Sequence, residues 1–167
     1  MKKIIILLAF LVSSTVTFSQ SIFDKLEDLD EVSSVVVTKD MFELLKKFPD
    51  AKSDDMEIFN TAKGLNELKV FSTENDGVAS QMENMVNSAI KNSNLTQLMR
   101  VKDKDSRVKI YVKATSNKDL VSEVLMFVKN KENKKGTSST IISLTGEIDV
   151  NKLSQIAHKY SKKEDVK

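Results

Sequence analysis

The chain has 167 residues, a formal net charge of +2, one proline and no cysteine. This length corresponds to about one ordinary domain. The absence of cysteine excludes disulfides, thiolate metal sites, a cysteine nucleophile and the lipid anchor of a lipoprotein, so the fold must be held by its core.

The amino terminus has the three-part pattern of an export signal. Two lysines follow the first methionine, residues 4–12 form an unbroken apolar run of nine, and residues 13–19 are mostly small and polar. Thr17 and Ser19 provide the small side chains that signal peptidase requires before its cut. The apolar run is less than half of the ~20 residues that a spanning helix needs. The pattern therefore predicts a cleavable signal peptide at residues 1–19.

Removal of residues 1–19 changes the charge of the protein. The signal carries two lysines and no acid, so the mature chain has 24 basic and 24 acidic residues. It is not the basic protein that nucleic-acid binding favours, and no nucleic-acid partner is predicted. We expect residues 20–160 to form one domain in the periplasm or outside the cell, and residues 161–167 to form a flexible charged tail.

The charges of the mature chain are unevenly distributed along the sequence. Acids exceed bases by eight in residues 20–90, and bases exceed acids by eight in residues 91–167. The two halves either attract each other or present faces of opposite sign, unless the charges are simply intermixed on a solvated surface.

The first half of the mature chain predicts mainly helices. Residues 22–29 have apolar side chains at helical spacing, and the β-branched run 35–37 favours a short strand. Another helix is predicted to begin at Thr38 or Asp40 and to end at Pro49.

Three more elements are predicted before the apolar period changes. Asp54 and Asp55 favour the amino end of a helix that Gly64 closes. Residues 68–71 predict a second strand. Residues 76–91 form the clearest amphipathic helix of the chain. Its apolar stripe consists of Val78, Met82, Met85, Val86 and Ala89.

The second half has the alternation of β-strands. Residues 99–102 and 107–114 alternate between apolar and polar side chains and predict two strands with one buried face each. Residues 121–128 are apolar at both odd and even positions, which indicates a central strand covered on both faces. Residues 140–144 predict a fourth strand. Asp149 then caps a last amphipathic helix. The apolar stripe of that helix consists of Val150, Leu153, Ile156, Ala157 and Tyr160.

Together these elements predict an α+β fold. Its sheet is expected to be largely antiparallel, with a C-terminal four-strand meander and helices packed on one face. The polar run 130–135 is the predicted loop between the last two strands.

The most characteristic stretches of the chain are residues 98–102, 108–112, 122–128 and 142–149. In these stretches the chain resembles a family of small exported bacterial proteins that carry a domain of unknown function, DUF4252. The resemblance extends over about residues 21–160. It implies an envelope location and an α+β domain, but it implies no activity, cofactor or catalytic set.

The residues that carry common chemistries lack the spacing that those chemistries need. His158, the single histidine, lies off the apolar stripe of the last helix and has no evident acid and nucleophile partners. The four glycines are far apart, which excludes a P-loop and a dinucleotide-binding loop. The acidic clusters at 28–31, 54–55 and 103–105 lack the ligand intervals of a calcium loop. No catalytic residue, metal site or cofactor is therefore predicted.

The sharpest candidate for a binding site is a basic face of the sheet. Alternation along two predicted strands places five polar side chains on one side. They are Arg100, Lys102, Lys109, Tyr111 and Lys113. Such a face suits an acidic protein, an anionic glycan or lipid headgroups. The competing interpretation is an ordinary solvated face whose lysines discourage aggregation.

Three classes of function follow from these observations. The lack of a recognisable catalytic arrangement favours a non-enzymatic binding or signalling module of the envelope. The first alternative is a hydrolase that acts on an envelope polymer through dispersed residues, which requires a cleft with facing carboxylates or a perturbed lysine beside a serine. The second is a carrier of an apolar ligand, which requires a cavity between helices and sheet.

Overall fold

A computed structural model describes residues 22–47, 64–132 and 136–151 of the chain. These residues contain two helices, α1 (Lys39–Lys46) and α2 (Asp76–Asn92). They also contain six strands: β1 (Ser33–Thr38), β2 (Leu65–Thr73), β3 (Thr96–Lys102), β4 (Ser106–Ala114), β5 (Leu120–Glu132) and β6 (Gly136–Asp149).

The six strands form a single sheet in the order β1-β2-β6-β5-β4-β3, and every pair of neighbours is antiparallel. The longest strands, β5 and β6, lie at its centre, as the two-sided apolar pattern of residues 121–128 predicts. Strands β1 and β3 form its edges. The prediction of an α+β fold with a largely antiparallel sheet is confirmed.

Helix α2 packs against one face of the sheet. Asn75 caps it, since the Asn75 Oδ1 accepts hydrogen bonds from the N–H groups of Gly77 and Val78 at 2.9 and 3.1 Å. The buried side of the helix consists of Val78, Ala79, Met82, Val86 and Ala89. Four of these, all except Ala79, belong to one core with residues of the sheet. The sheet contributes Phe71, Tyr111, Leu125, Phe127 and Ile141. The amphipathic helix predicted at residues 76–91 is confirmed.

The opposite face of the sheet is apolar as well. Residues that pair directly across antiparallel strands point to the same side, and one such row crosses all six strands. It consists of Val35, Val70, Ile142, Met126, Ile110 and Met99. A second cluster of buried residues, which includes Val112 and Val124, lies on this side. Val150, where the predicted last helix begins, packs against that cluster.

The prediction of a helix at residues 22–29 is wrong, because a single 3₁₀ turn, Asp24–Leu26, forms there instead. The apolar residues follow a spacing of three, which suits i→i+3 turns better than an α-helix. Leu26 N–H donates to Phe23 O, Leu29 N–H to Leu26 O, and Val32 N–H to Leu29 O. All four of these side chains pack into the core beneath α2.

The hairpin between β5 and β6 is tighter than the sequence suggests. β5 continues to Glu132 and β6 begins at Gly136, so the first three of the six residues in the predicted loop 130–135 belong to β5. Polar residues can extend a hairpin here because their backbones still pair, as Lys131 does with Thr137.

Several predictions fall on other parts of the chain. Four of them lie outside the described residues. They are the signal peptide at 1–19, the helix that begins at Asp54, the part of the last helix beyond Asn151, which includes His158, and the tail at 161–167. Within the part of the chain that the structure describes, no helix has the length and apolar character to cross a membrane.

Candidate functional site: a basic surface on three strands

The register of β3, β4 and β5 gathers five basic side chains on one face of the sheet. Arg100 pairs with Lys109, and Lys102 pairs with Arg107. Arg107 in turn pairs with Lys129 on β5. Because directly paired residues share a face, these five residues form one patch, which we call the basic surface. It lies on the side of the sheet that carries α2.

One carboxylate of α2 meets this surface. The Glu83 Oε2 accepts a hydrogen bond from the Lys129 Nζ at 2.9 Å, and the Lys109 Nζ lies 3.9 Å from the Glu83 Oε1. The hydrogen bond from Lys129 lowers the pKa of Glu83, and the charges of Lys129, Lys109 and Arg107 lower it further against the opposing effect of burial. Glu83 is therefore ionised at neutral pH and offsets one of the five positive charges.

The outer part of the basic surface has no such partner. Arg100 and Lys102 lie on the exposed strand β3 and make no ion pair with another described residue. The neighbouring hairpin tip adds Asp103, Lys104 and Asp105, all exposed. The tip contributes one net negative charge, which leaves the whole region positive.

The structure brings together three of the five residues predicted for this site. Arg100, Lys102 and Lys109 all belong to the basic surface. Tyr111 lies on the same face but is only 8% exposed and packs into the core beneath α2. The prediction that all five residues are available for binding on this face is corrected for Tyr111, because α2 covers the centre of the face and leaves the basic side chains at its margin.

Lys113 lies apart from the basic surface and faces an acid. It pairs with Glu123 on β5, two residues beyond the buried Tyr111. Burial raises the pKa of Glu123, and the positive charge of Lys113 opposes that rise in part. Lys113 therefore has an acid as its direct cross-strand neighbour and lies outside the basic surface.

Arg107 and Lys129 belong to the basic surface but were not among the predicted site residues. Arg107 shares the alternation of β4 with Lys109, so its place could have been found from the sequence. Lys129 lies 20 residues further along the chain than Lys109. Only the pairing of β4 with β5 brings it beside Arg107.

A second charged cluster lies beneath the 3₁₀ turn. The Lys69 side chain is 8% exposed, and its Nζ donates a hydrogen bond to the Asp24 Oδ1. The carboxylates of Glu67 and Glu27 lie 3.4 and 3.6 Å from the same Nζ. Three acids around one buried lysine satisfy its charge, which is the arrangement of a structural ion pair. None of the ion pairs of this cluster involves a residue of the basic surface.

Comparisons with known proteins give a family and nothing more specific. A family model described as a domain of unknown function (DUF4252) matches residues 25–156 of the 167-residue chain. No match was found among curated proteins or among solved structures. Among the described residues, no group of three or more histidines and acids is placed to hold a metal ion.

Proposed function

This chain belongs to the DUF4252 family, and we propose that it is an exported, non-enzymatic binding module whose basic surface holds an acidic partner. The observation that carries this proposal is the register of β3, β4 and β5. It places five cations on one face, and the described residues that touch them supply a single carboxylate, Glu83.

Electrostatics makes such a patch suited to recognition. Charges gathered on one surface attract an oppositely charged partner and orient it before contact. Arg100 and Arg107 add planar guanidinium groups that bind carboxylates in a bidentate manner. An acidic protein, an anionic glycan and lipid headgroups all have negative groups that a guanidinium can bind. We favour an acidic protein because the basic surface adjoins the edge strand β3, whose open backbone only another polypeptide can pair with.

The remaining parts of the proposal concern location and architecture. The signal-like amino terminus supports delivery to the periplasm or the cell exterior. The consecutive pairing of β3 with β4, β4 with β5 and β5 with β6 supports a four-strand meander. The position of α2 supports a helical cover on one face of the sheet.

The test reverses two charges of the exposed edge strand. In a variant carrying Arg100→Glu and Lys102→Glu, we expect the affinity for polyglutamate at low salt to fall about tenfold or more, because two attractions become repulsions. Fluorescence anisotropy with labelled polyglutamate measures the affinity of each protein. Raising the salt concentration should weaken binding of the unaltered protein, since exposed charges are screened.

A matched control reverses two lysines elsewhere. Lys113→Glu with Lys118→Glu changes the net charge equally but leaves the basic surface intact. If both double variants lose affinity equally, net charge rather than this surface governs binding. If the unaltered protein binds a sulfated glycan or anionic lipid vesicles but not polyglutamate, the acidic-protein partner is wrong. If it binds none of the three, the proposed function is wrong.

A further inference from the structure

Strand β3 leaves one side of its backbone unpaired. It is the last strand of the sheet, and it pairs only with β4 among the residues that the structure describes. All seven of its residues are exposed. An open edge of this kind is a ready template for another strand, because its free N–H and C=O groups can continue the hydrogen-bonding ladder.

Two hydrogen bonds identify the backbone groups that point outward. Asp103 N–H donates to Ser106 O at 2.9 Å, between β3 and β4, and Lys131 N–H donates to Asp105 O at 2.7 Å, between β5 and β4. Hydrogen-bonded and non-bonded pairs alternate along an antiparallel ladder. Val101 therefore bonds with β4, whereas the backbone groups of Arg100 and Lys102 face away from the sheet.

The side chains of β3 differ in character between the two faces of the sheet. Arg100 and Lys102 belong to the basic surface, while Met99 and Val101 lie on the other face and are 48% and 42% exposed. A strand laid along this edge would meet positive charge on one face and apolar side chains on the other.

We propose that β3 binds an extended segment of another protein, with acidic and apolar residues in alternation, as an added antiparallel strand. This inference rests on the proposed function and specifies how the acidic partner would be held. Each acidic residue lies directly opposite Arg100 or Lys102 and exchanges backbone hydrogen bonds with it. The intervening apolar residue packs beside Val101, since directly opposed side chains on one face interact.

Charge complementarity selects this occupant over a second copy of the chain. Two β3 strands in antiparallel pairing would bring Arg100 and Lys102 opposite the same basic residues of the other copy, and like charges directly opposite are destabilising. The other edge, β1, carries no charged residue in Ser33–Thr38. It therefore offers an acidic segment no such attraction.

The test uses synthetic peptides of about seven residues, the length of a typical strand. One peptide alternates glutamate with valine. A second has the same composition with its glutamates grouped at one end. Two further versions of the alternating peptide carry backbone N-methyl groups, either on the glutamates or on the valines. Isothermal titration with the full chain measures their affinities.

We expect the alternating peptide to bind more tightly than the grouped one. N-methylation of the glutamates should lower its affinity about thirtyfold or more, because at least the two N–H groups that bond with Arg100 and Lys102 are lost. N-methylation of the valines should leave the affinity nearly unchanged, since their N–H groups point away from β3. Hydrogen exchange followed by NMR should show that the amides of Arg100 and Lys102 gain protection, whereas that of Val101 is protected already.

Other outcomes separate this inference from the proposed function. If the grouped peptide binds equally well, or both methylated peptides behave alike, the added strand is wrong while the basic surface still stands. If a sulfated glycan binds through Arg100 and Lys102 but no peptide does, the added strand is wrong as well. If the Arg100→Glu and Lys102→Glu variant binds every probe like the unaltered protein, both proposals fail.

Discussion

At the scale of single residues, Lys69 shows how a charge is held inside this protein. Burial by itself lowers the pKa of Lys69, but its hydrogen bond with Asp24 and the negative charges of Glu67 and Asp24 outweigh that effect. The net result is a pKa above the ordinary value of 10.5. A pKa that is higher in the folded state means that the protonated lysine stabilises the fold. This stabilisation is complete below 10.5 and is lost as the pH rises through the folded-state pKa.

We therefore expect Lys69→Met to lower the free energy of unfolding at neutral pH by roughly 1–3 kcal/mol, because the variant leaves the acids beneath the 3₁₀ turn without their cation. The difference from the unaltered protein should shrink as the pH rises above 10.5. Urea unfolding across this range measures both effects. The control is Lys25→Met, which replaces an exposed lysine of the same segment. A loss that stays constant at every pH would mean that packing, not charge, is responsible.

The apolar residues of the first segment show where local pattern misleads. Phe23, Leu26, Leu29 and Val32 are three apart, and a spacing of three is compatible with both an α-helix and successive i→i+3 turns. The sequence therefore predicted an apolar face for Phe23, Leu26 and Leu29, but it predicted neither their backbone conformation nor the part played by Val32.

At the scale of elements, β2 and β6 approach each other through two glycines. A Cβ at Gly146 would lie 2.3 Å from the Gly64 O, and one at Gly64 would lie 2.1 Å from the Glu147 O. Gly146 also has a φ of +135°, which residues with a side chain rarely adopt. The close approach coincides with the bulge between Leu65 and Glu67 in β2.

We expect Gly146→Ala to lower the free energy of unfolding by roughly 1–3 kcal/mol or more, because the added methyl group meets backbone on two sides and strains the main chain. Gly77→Ala is the matched control. Gly77 lies in the exposed first turn of α2, where an added Cβ would contact the Asn75 Oδ1 at 3.2 Å. It should change stability by less than about 1 kcal/mol. Thermal unfolding compares the two, and equal losses would contradict the role given to Gly146.

The elements also differ in how well the sequence predicted their ends. Helix α2 was predicted to within one residue because its apolar stripe is unbroken, and the structure adds that Asn75 caps it. β6 extends further on both sides than the apolar residues 140–144 suggest. Backbone pairing with β2 and β5 extends that strand, and pairing does not depend on apolar side chains.

At the scale of the whole molecule, α2 and one face of the sheet enclose the larger core. Met82 is fully buried within it, whereas Met99 is 48% exposed on the edge strand β3. The two methionines are chemically identical, so their substitution measures position alone.

We expect Met82→Ala to cost about 2–5 kcal/mol of unfolding free energy, because it removes buried methylene groups and leaves a cavity. Met99→Ala should stay within about 0.5 kcal/mol, as exposed substitutions usually do. Chemical denaturation followed by circular dichroism measures both variants. Similar losses would mean that the second face of the sheet, where Met99 lies, is as tightly packed as the first.

The amino-acid sequence by itself determined the α+β class, the strand pattern of the second half, the position of α2 and the alternation that puts Arg100, Lys102 and Lys109 on the same side of their strands. These are local properties, set by periodicity, capping and β-branching over a few neighbouring residues. Only the tertiary structure decided which sheet face α2 covers, and thereby that Tyr111 is buried. It also decided that Lys129 joins the basic surface. Pairing between strands distant in sequence sets those contacts, and an alternating pattern specifies two faces without specifying which one a helix will cover.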